Sequence, residues 1–202
     1  MSYFEYHKKG DTLLIKNVLN EDTTELASVV IKNQQTIYQP ELVESFTIFH
    51  HILSISPELC WIVINPNNNN HCCAHLIAHP WPNIDYPPML NCERDILELS
   101  KPQTKIVVKE CNNIFIHDLT IIPEMKNMGV GRELISKFLT YLHSLNKTII
   151  ITLVSVCGSM KFWEKQGFQP LETQLDDRQI TILKSYGDKT ATIMQLIIDN
   201  RE

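Results

Sequence analysis

The stretch that decides the fold is PEMKNMGVGREL, residues 123–134, in which two glycines lie two positions apart just before a strongly helical run. The chain has only six glycines in 202 residues, so this pair indicates a special backbone requirement. Glycine lacks a Cβ, which permits a positive φ or a close approach of the backbone to another molecule. The first turn of a helix also leaves N–H groups without helical partners and carries the positive end of the dipole. We therefore interpret Gly129 and Gly131 as parts of an anion-binding turn, with Lys126 and Arg132 adding charge at its mouth.

The glycine spacing is a weak signal by itself. A loop glycine followed by a helix glycine that fits a tight packing contact would give the same pattern. The turn also differs from the better-known phosphate loops, because it lacks G-x-x-x-x-G-K-[ST] and has Leu134 where G-x-G-x-x-G has its third glycine. The surrounding segments must therefore distinguish an anion site from a packing feature.

The segments around the turn predict a fold that mixes strands and helices. NIFIHDLTII, residues 113–122, is apolar and β-branched, which predicts a strand that ends at Pro123. Periodicity and run length predict the elements that follow. These are a helix at 129–145, a strand at 147–156, a short helix at 158–168 and a last strand at 191–199.

The first half of the chain predicts elements of both kinds as well. They are a strand at 11–19, helices at 20–35 and 40–53, and a hairpin of strands 60–64 and 71–79 around an asparagine-rich loop. Residues 80–112 begin with a proline-rich run that resists regular structure, and we interpret them as an insertion with a short helix in CERDILELS. The order predicts a single α/β (α+β) domain over 1–202 with a central sheet.

Composition excludes several classes of function. The net charge is −5 at pH 7 with no basic block, which argues against a nucleic-acid partner. No apolar run approaches the length of a membrane-spanning helix, and the N-terminus lacks the apolar segment of a signal peptide, so no membrane partner is expected. The six cysteines lack the spacing of a disulfide framework, which predicts reduced, mostly buried thiols and a cytoplasmic location.

HDLTIIPEMKNMGVGRELI, residues 117–135, followed by FWEKQGF, residues 162–168, resembles the GCN5-related N-acetyltransferase (GNAT) family. That family's phosphate signature is Arg or Gln, two residues, Gly, one residue, then Gly or Ala. Here it reads KNMGVG, residues 126–131, with lysine at the first position. The resemblance covers 113–170 well and the first hundred residues only by the order of their elements. It implies a mixed, twisted sheet flanked by helices, with two parallel strands that splay apart at a cofactor cleft.

The resemblance implies that acetyl-CoA binds between strands at 114–122 and 148–156. The backbone of the first strand would pair with the pantetheine arm like an added strand, and amides of the glycine turn would hold the diphosphate. The second motif would line the thiol end. The implied cofactor-binding residues are Leu119, Thr120, Ile121, Lys126, Asn127, Met128, Gly129, Val130, Gly131, Arg132, Ser159 and Trp163.

The implied reaction transfers an acetyl group to a primary amine of a small molecule or a protein. It needs a base, an oxyanion donor and an acid for the thiolate, and the Leu119 N–H is the expected oxyanion donor. Many family members protonate the thiolate with a tyrosine four residues before the helix-ending glycine. Trp163 stands there instead, and an indole N–H is no usable acid at neutral pH. Ser155, Ser159 or water would have to replace the tyrosine.

The candidate bases are His117 and Asp118, near the end of the strand that faces the cleft. His117 has a suitable intrinsic pKa. Because side chains alternate along a strand, only one of the two is expected to face the acceptor. A purely structural role at the strand end is equally open for each. The predicted catalytic residues are therefore His117, Asp118 and Ser155.

Two alternatives to amine acetylation remain open from the sequence. One is a coenzyme-A-binding sensor or interaction module that has lost the chemistry, in line with Trp163. The other is transfer of a different acyl chain, or transfer to a hydroxyl group. The sequence also leaves open a homodimer. For Gly129→Glu we predict loss of coenzyme binding with little change in fold, because the carboxylate would occupy the anion site.

HCCAHLIAH, residues 71–79, raises the question of a zinc site. Alternation would put His71, Cys73, His75 and His79 on one face of a strand. Ligands within a single strand rarely converge on a tetrahedron, and no C-x-x-C partner stands elsewhere, so we predict no metal site.

Overall fold

One twisted sheet takes in strands from the beginning to the end of the chain. The computed structural model describes residues 3–8, 11–69, 71–100, 110–171 and 174–199. The strands are β1 Tyr3–Lys8, β2 Asp11–Asn17, β3 Trp61–Asn65, β4 His71–Pro80, β5 Asn113–Ile121, β6 Ile149–Ser155, β7 Gln169–Pro170 and β8 Thr192–Ile198. Their order across the sheet is β1-β2-β3-β4-β5-β6-β8-β7. The β5–β6 pair is parallel and the other neighbouring pairs are antiparallel.

Helices cover both faces of this sheet. They are α1 Thr23–Ile37, α2 Phe46–Ile55, α3 Glu93–Leu97, α4 Val130–His143, α5 Met160–Glu164 and α6 Asp177–Ser185. Side chains of Asp22, Ser45 and Asp176 accept N–H groups at the starts of α1, α2 and α6, which fixes where these helices begin. Within the described ranges, no helix is both long enough and apolar enough to cross a membrane.

Two apolar clusters hold the layers together. Leu134, Phe138 and Leu142 of α4 pack on one face of the sheet. Residues of α1 and α2, among them Val30 and Phe49, pack on the other. The apolar stripe of each helix therefore determines which face it covers. Removing this apolar surface from water contributes roughly 25 cal/mol per Å² to the stability of the fold.

Two β-bulges interrupt the regular alternation of side chains. In the β3–β4 ladder, Val63 pairs with Ala74 and Ile64 with Cys72, so Cys73 is an extra residue. Cys73 consequently joins the cluster on the α4 side, whereas Cys72 belongs to the cluster on the α1–α2 side. The expectation that Cys73 shares a face with the histidines of β4 is therefore wrong.

The second bulge lies in the ladder between β4 and β5. Ile77 pairs with Asp118 and Ala78 with Ile116, which leaves His117 as an extra residue in β5. A bulge of this kind bends the strand and redirects side chains near it. This bulge lies next to Ile116, where the pairing of β5 with β6 ends.

The parallel ladder between β5 and β6 is short. Pairing runs from Asn113 opposite Ile150 to Ile116 opposite Leu153, although β5 continues to Ile121 and β6 to Ser155. Beyond the last pair the two strands diverge, and the facing backbone edges are open. The predicted gap between these strands is thus present in the structure.

Several boundaries differ from those expected. Pro40 opens a 3-10 turn, Pro40–Leu42, and α2 begins only at Phe46, because the Ser45 hydroxyl accepts the Ile48 N–H. The sequence reading did not anticipate β1, β7 or α6. In the segment 80–112, α3 occupies Glu93–Leu97 as expected, and residues 101–109 lie outside the described part of the chain.

Candidate functional site

A cavity of about 600 Å³ opens where β5 and β6 separate. This volume lies within the range of small-molecule sites. Its walls come from α1, from β5 and β6 and from the start of α4, with α5 closing one side. Lining residues include Tyr38, Leu119, Val154, Arg132 and Trp163.

The β5 edge of the gap offers backbone groups to the cavity. The Ile122 N–H donates to the Cys73 carbonyl at 3.0 Å, so residue 122 directs its backbone groups toward β4. Successive residues of a strand direct these groups to opposite sides. Leu119 and Ile121 therefore direct N–H and C=O into the gap, as the pantetheine prediction requires. Thr120 directs its backbone toward β4 instead.

The glycine turn has the backbone conformation of an anion site. Asn127 and Gly129 have positive φ values of 62° and 83°, and Gly129 is the N-cap of α4. The Glu133 N–H donates to the Gly129 carbonyl at 3.0 Å. The preceding N–H groups of the first turn have no carbonyl within the helix to bond. Lys126 and Arg132 also line this end of the cavity.

Internal packing also requires both glycines. A Cβ on Gly129 would lie 2.8 Å from the Tyr6 hydroxyl, in addition to the unfavourable φ. A Cβ on Gly131 would lie 2.7 Å from Ile121 Cδ1 and 3.3 Å from Phe162 Cζ. Gly129→Glu should therefore lower the stability of the fold as well as coenzyme binding. The Met128 side chain is buried in the core beside this turn.

The α5 side of the cavity carries the residues proposed for the thiol end. Trp163 and Ser159 line the cavity, and Trp163 meets Phe162 and Phe168 edge to face at 5.3 and 5.2 Å between ring centroids. Ser155 is only 1% exposed, and its Oγ lies 3.0 Å from that of Ser159. Ser155 therefore supports Ser159 from beneath the cavity wall.

Asp118 lines the same cavity and is held by several donors. Its carboxylate accepts from His75 Nε2 at 2.6 Å, from the Tyr38 hydroxyl at 3.0 Å, and from the Thr120 hydroxyl. Burial alone would raise the pKa of Asp118, but the bonds from His75 and Tyr38 outweigh it and lower the pKa below its ordinary value. Burial and the charge of Asp118 raise the pKa of Tyr38 well above its ordinary value.

His117 lies on the same side of the sheet as Asp118. Its ring meets Phe49 of α2 edge to face, while Asp118 bonds Tyr38 at the end of α1. The expectation that only one of the two could face the acceptor is therefore wrong, because the bulge at His117 breaks the alternation. Both residues line the cavity.

The hydrogen bonds of His79 determine that Nδ1 of His117 carries a proton. His79 Nδ1 lies 2.9 Å from the Pro80 carbonyl, which can only accept, so this nitrogen carries the proton. Burial lowers the pKa of His79 to about 3, so the ring is neutral and its Nε2 accepts. His117 Nδ1, 3.1 Å away, must therefore donate to His79.

The other nitrogen of His117 faces a carboxylate. Nε2 lies 2.8 Å from Glu44 Oε2, a close charge contact set off the ideal N–H direction. Burial alone would lower the pKa of His117, but the charge and contact of Glu44, with a contribution from Asp118, raise it above its ordinary value. His117 therefore donates through Nδ1 to His79 and sets Nε2 against the Glu44 carboxylate.

Glu44 is the residue of this site that sequence reasoning missed. It is 6% exposed, lines the cavity and accepts the Asn91 N–H at 3.1 Å. Its own N–H donates to Gln34 Oε1. PELVESF, residues 40–46, has no motif around this glutamate, and its partner His117 is distant in sequence. Only the folded structure brings the two together.

The comparisons with known proteins establish the class. The model of the acetyltransferase (GNAT) family matches residues 27–168, and the chain belongs to this family. This confirms the family and the fold class predicted from the sequence, and it gives the chain the fold of acyl-CoA-dependent acyltransferases. A search of curated proteins finds no match.

Solved structures that share this fold include the following three. The loading GNATL domain of CurA from Lyngbya majuscula aligns with a TM-score of 0.65 at 12% identity over 94% of this chain and 98% of that chain. A chain of the NatC complex bound to Gag peptide and CoA gives 0.61 at 13% identity over 92% and 98%. The ribosomal-protein-S18-alanine N-acetyltransferase from Escherichia coli gives 0.53 at 14% identity over 93% and 94%. At these identities the likeness establishes the fold alone.

Proposed function

We propose that the protein is an N-acetyltransferase that moves the acetyl group of acetyl-CoA to a primary amine. One observation carries the proposal: a single cavity joins the turn at the start of α4, the gap between β5 and β6, and the buried carboxylates Glu44 and Asp118. The turn suits a diphosphate, the gap suits an amide-bearing arm, and the carboxylates suit a cationic amine. Acyl transfer needs these three features along one path.

The residues of the chain meet the requirements of the coenzyme. Backbone groups of Leu119 and Ile121 directed into the gap can pair with an extended arm as a neighbouring strand would. First-turn N–H groups of α4, with Lys126 and Arg132, offer donors and positive charge to a diphosphate. Bound there, acetyl-CoA would supply the activated acyl group as a thioester.

The charges at the other end of the cavity favour an amine acceptor. Two buried carboxylates, Glu44 and Asp118, line the cavity. In a buried site a carboxylate attracts a cation more strongly than it would in water.

Glu44 is the proposed base. Asp118 accepts from three side chains and has a lowered pKa, so it is a poor proton acceptor that instead positions His75 and Tyr38. His117 donates through Nδ1 to His79, and its Nε2 is set against Glu44. Glu44 accepts from Asn91, contacts His117 and faces the cavity with acceptor capacity remaining.

The proposed reaction uses few groups of the chain. Glu44 takes a proton from the bound ammonium group, which frees the nitrogen lone pair to attack the thioester carbonyl. The Leu119 N–H donates to the carbonyl oxygen as its negative charge grows. As the C–S bond breaks, the attacking nitrogen loses its second proton to water, and Glu44 returns the first through water to the departing sulfur, so that an amide, a free thiol and one released proton are the products. Trp163 takes no part in this proton transfer.

Release of free thiol from acetyl-CoA tests the proposed function. Purified protein is incubated with acetyl-CoA and a panel of primary amines, and free thiol is measured over time, with Glu44→Ala as the paired variant. The proposal predicts amine-dependent thiol release that is lost or strongly reduced in Glu44→Ala. Coenzyme binding by calorimetry without thiol release from any amine would contradict it.

That contrary result would favour a second candidate function, a coenzyme-A-binding sensor. The observation behind it is Trp163, which occupies the position of the usual acid and is held by aromatic neighbours. The proposed location for either function is the cytoplasm, in line with six unpaired cysteines.

A further inference from the structure

The N-terminal strand reaches the glycine turn through a single side chain. Tyr6 stands opposite Leu13 in the β1–β2 ladder, at the edge of the sheet. Its hydroxyl donates to the Met128 carbonyl at 2.6 Å, across 122 positions of sequence. The same oxygen lies 2.8 Å from the place where a Cβ on Gly129 would stand. The tyrosine therefore touches the turn at the peptide that joins Met128 to Gly129.

Bonding of the Met128 carbonyl determines where the next N–H points. In a planar trans peptide the C=O of one residue and the N–H of the next point in opposite directions. The Met128 carbonyl points at Tyr6, so the Gly129 N–H points away from it. Gly129 lines the cavity, and Tyr6 packs against the apolar cluster on the α4 side. The hydrogen bond thus holds the Gly129 N–H on the side away from Tyr6.

A glycine at this position makes such a restraint necessary. Residues on both sides of a peptide must adjust when it flips, and glycine accepts either sign of φ with little penalty. A flipped Met128–Gly129 peptide would present a carbonyl oxygen to the anion instead of an N–H. Carbonyl oxygen repels a diphosphate, so the flip would harm binding of the anionic part of a ligand selectively.

Two further contacts connect β1 to the rest of the site. Phe4 stacks against Trp61 with 6.4 Å between ring centroids, and the ammonium group of Lys137 lies 4.5 Å from the centroid of the Phe4 ring. Lys137 belongs to α4, the helix that begins at the glycine turn. The strand that carries Tyr6 is therefore attached to this helix through Lys137 and to β3 through Trp61, which limits movement of the hydroxyl relative to the turn.

We propose that Tyr6 is a positioning residue for diphosphate binding: its hydroxyl holds the Met128–Gly129 peptide so that the Gly129 N–H faces the coenzyme. This inference rests on the proposed coenzyme site. It adds the N-terminal strand, which the sequence reading did not include, to the parts of the chain on which the site depends.

The test compares Tyr6→Phe with Tyr3→Phe, an exposed tyrosine on the same strand. Binding of coenzyme A and of pantetheine, which lacks the diphosphate, is measured by calorimetry, together with the thermal midpoint. If the peptide is no longer held in place, coenzyme A loses one net hydrogen bond to the turn. Tyr6→Phe should then bind coenzyme A about fivefold more weakly than the wild type. Binding of pantetheine should be unchanged, and Tyr3→Phe should match the wild type with both ligands.

The possible results separate the inference from the proposed function. If the wild type binds coenzyme A and Tyr6→Phe binds it equally well, Tyr6 does not position the turn and the inference is overturned. If Tyr6→Phe weakens both ligands to the same degree, its role is general packing, which also overturns the inference. If the wild type binds no coenzyme A, the proposed function fails and the inference fails with it. A shift of the Gly129 amide resonance in unliganded Tyr6→Phe would support the peptide reorientation directly.

Discussion

Replacing Glu44 by glutamine tests the electrostatics of the acceptor end in detail. The substitution keeps the shape of the side chain and removes its negative charge. In the wild type, Glu44 raises the pKa of His117 against the effect of burial. In Glu44→Gln burial prevails, so His117 loses its proton in the folded protein and can accept an N–H from the new amide.

The loss of stability should depend on pH. The pKa of His117 in the folded wild type lies above its unfolded value, which is about 6.5. The stabilisation is therefore fully present below the unfolded pKa and is lost as pH rises through the folded pKa. Removing the carboxylate leaves a buried polar group without its partner, which costs about 1–3 kcal/mol, so we expect this loss at pH 5.5. At pH 9 a larger fraction of His117 is neutral in the wild type, so the loss should fall below roughly 1 kcal/mol.

Urea unfolding followed by tryptophan fluorescence at the two pH values measures this difference. Glu41→Gln, an exposed glutamate three positions earlier, is the matched control and should show no pH-dependent loss. Equal destabilisation of Glu44→Gln at both pH values, or a greater one at pH 9, would refute the claim that Glu44 raises the pKa of His117. In turnover assays the same variant should lower kcat, because it lacks the proposed base, and raise the KM for the amine, while the KM for acetyl-CoA stays unchanged.

Three further substitutions test other parts of the account. Gly129→Ala should lower the free energy of unfolding by about 2 kcal/mol. The φ of 83° disfavours a residue with a Cβ, and that Cβ would also displace the Tyr6 hydroxyl. Wild-type stability in a thermal melt would contradict this prediction. Trp163→Tyr should raise kcat severalfold, because it restores an acid near the thiol. Poorer packing of the smaller ring should lower the stability by roughly 1–2 kcal/mol. An unchanged kcat would mean that thiolate protonation does not limit turnover. Asp118→Asn should destabilise by about 2–3 kcal/mol at pH 7, since the folded pKa of Asp118 is lowered. That loss should shrink as pH falls from the unfolded pKa of about 3.9 through the folded value, and a loss independent of pH would exclude a charged Asp118.

Local signals predicted the secondary structure around the glycine turn well. The β-branched run of β5, the glycines and the amphipathic α4 are adjacent in sequence, so their arrangement depends on short-range preferences. The gap between β5 and β6 followed from the family resemblance and is present in the ladder that ends at Ile116. The start of α6 had a visible signal, since Asp176 and Gln179 form a capping box, and the sequence reading overlooked it.

The acceptor end could not be predicted in the same way. One extra residue in a ladder moves later side chains to the other face, and a single sequence does not reveal the bulges at Cys73 and His117. The contact between Glu44 and His117 joins segments far apart in the chain. From the sequence alone His117 is a candidate base. In the folded protein its Nδ1 bonds His79 and its Nε2 contacts Glu44.

The most direct test of the central claim is a titration of the ¹⁵N-labelled protein with coenzyme A, followed by the backbone amide resonances. The account predicts saturable shifts centred on the amides of Leu119, Ile121 and residues 129–132, because these N–H groups face the gap and the start of α4. Saturable shifts centred elsewhere, or no shifts at millimolar coenzyme A, would contradict it.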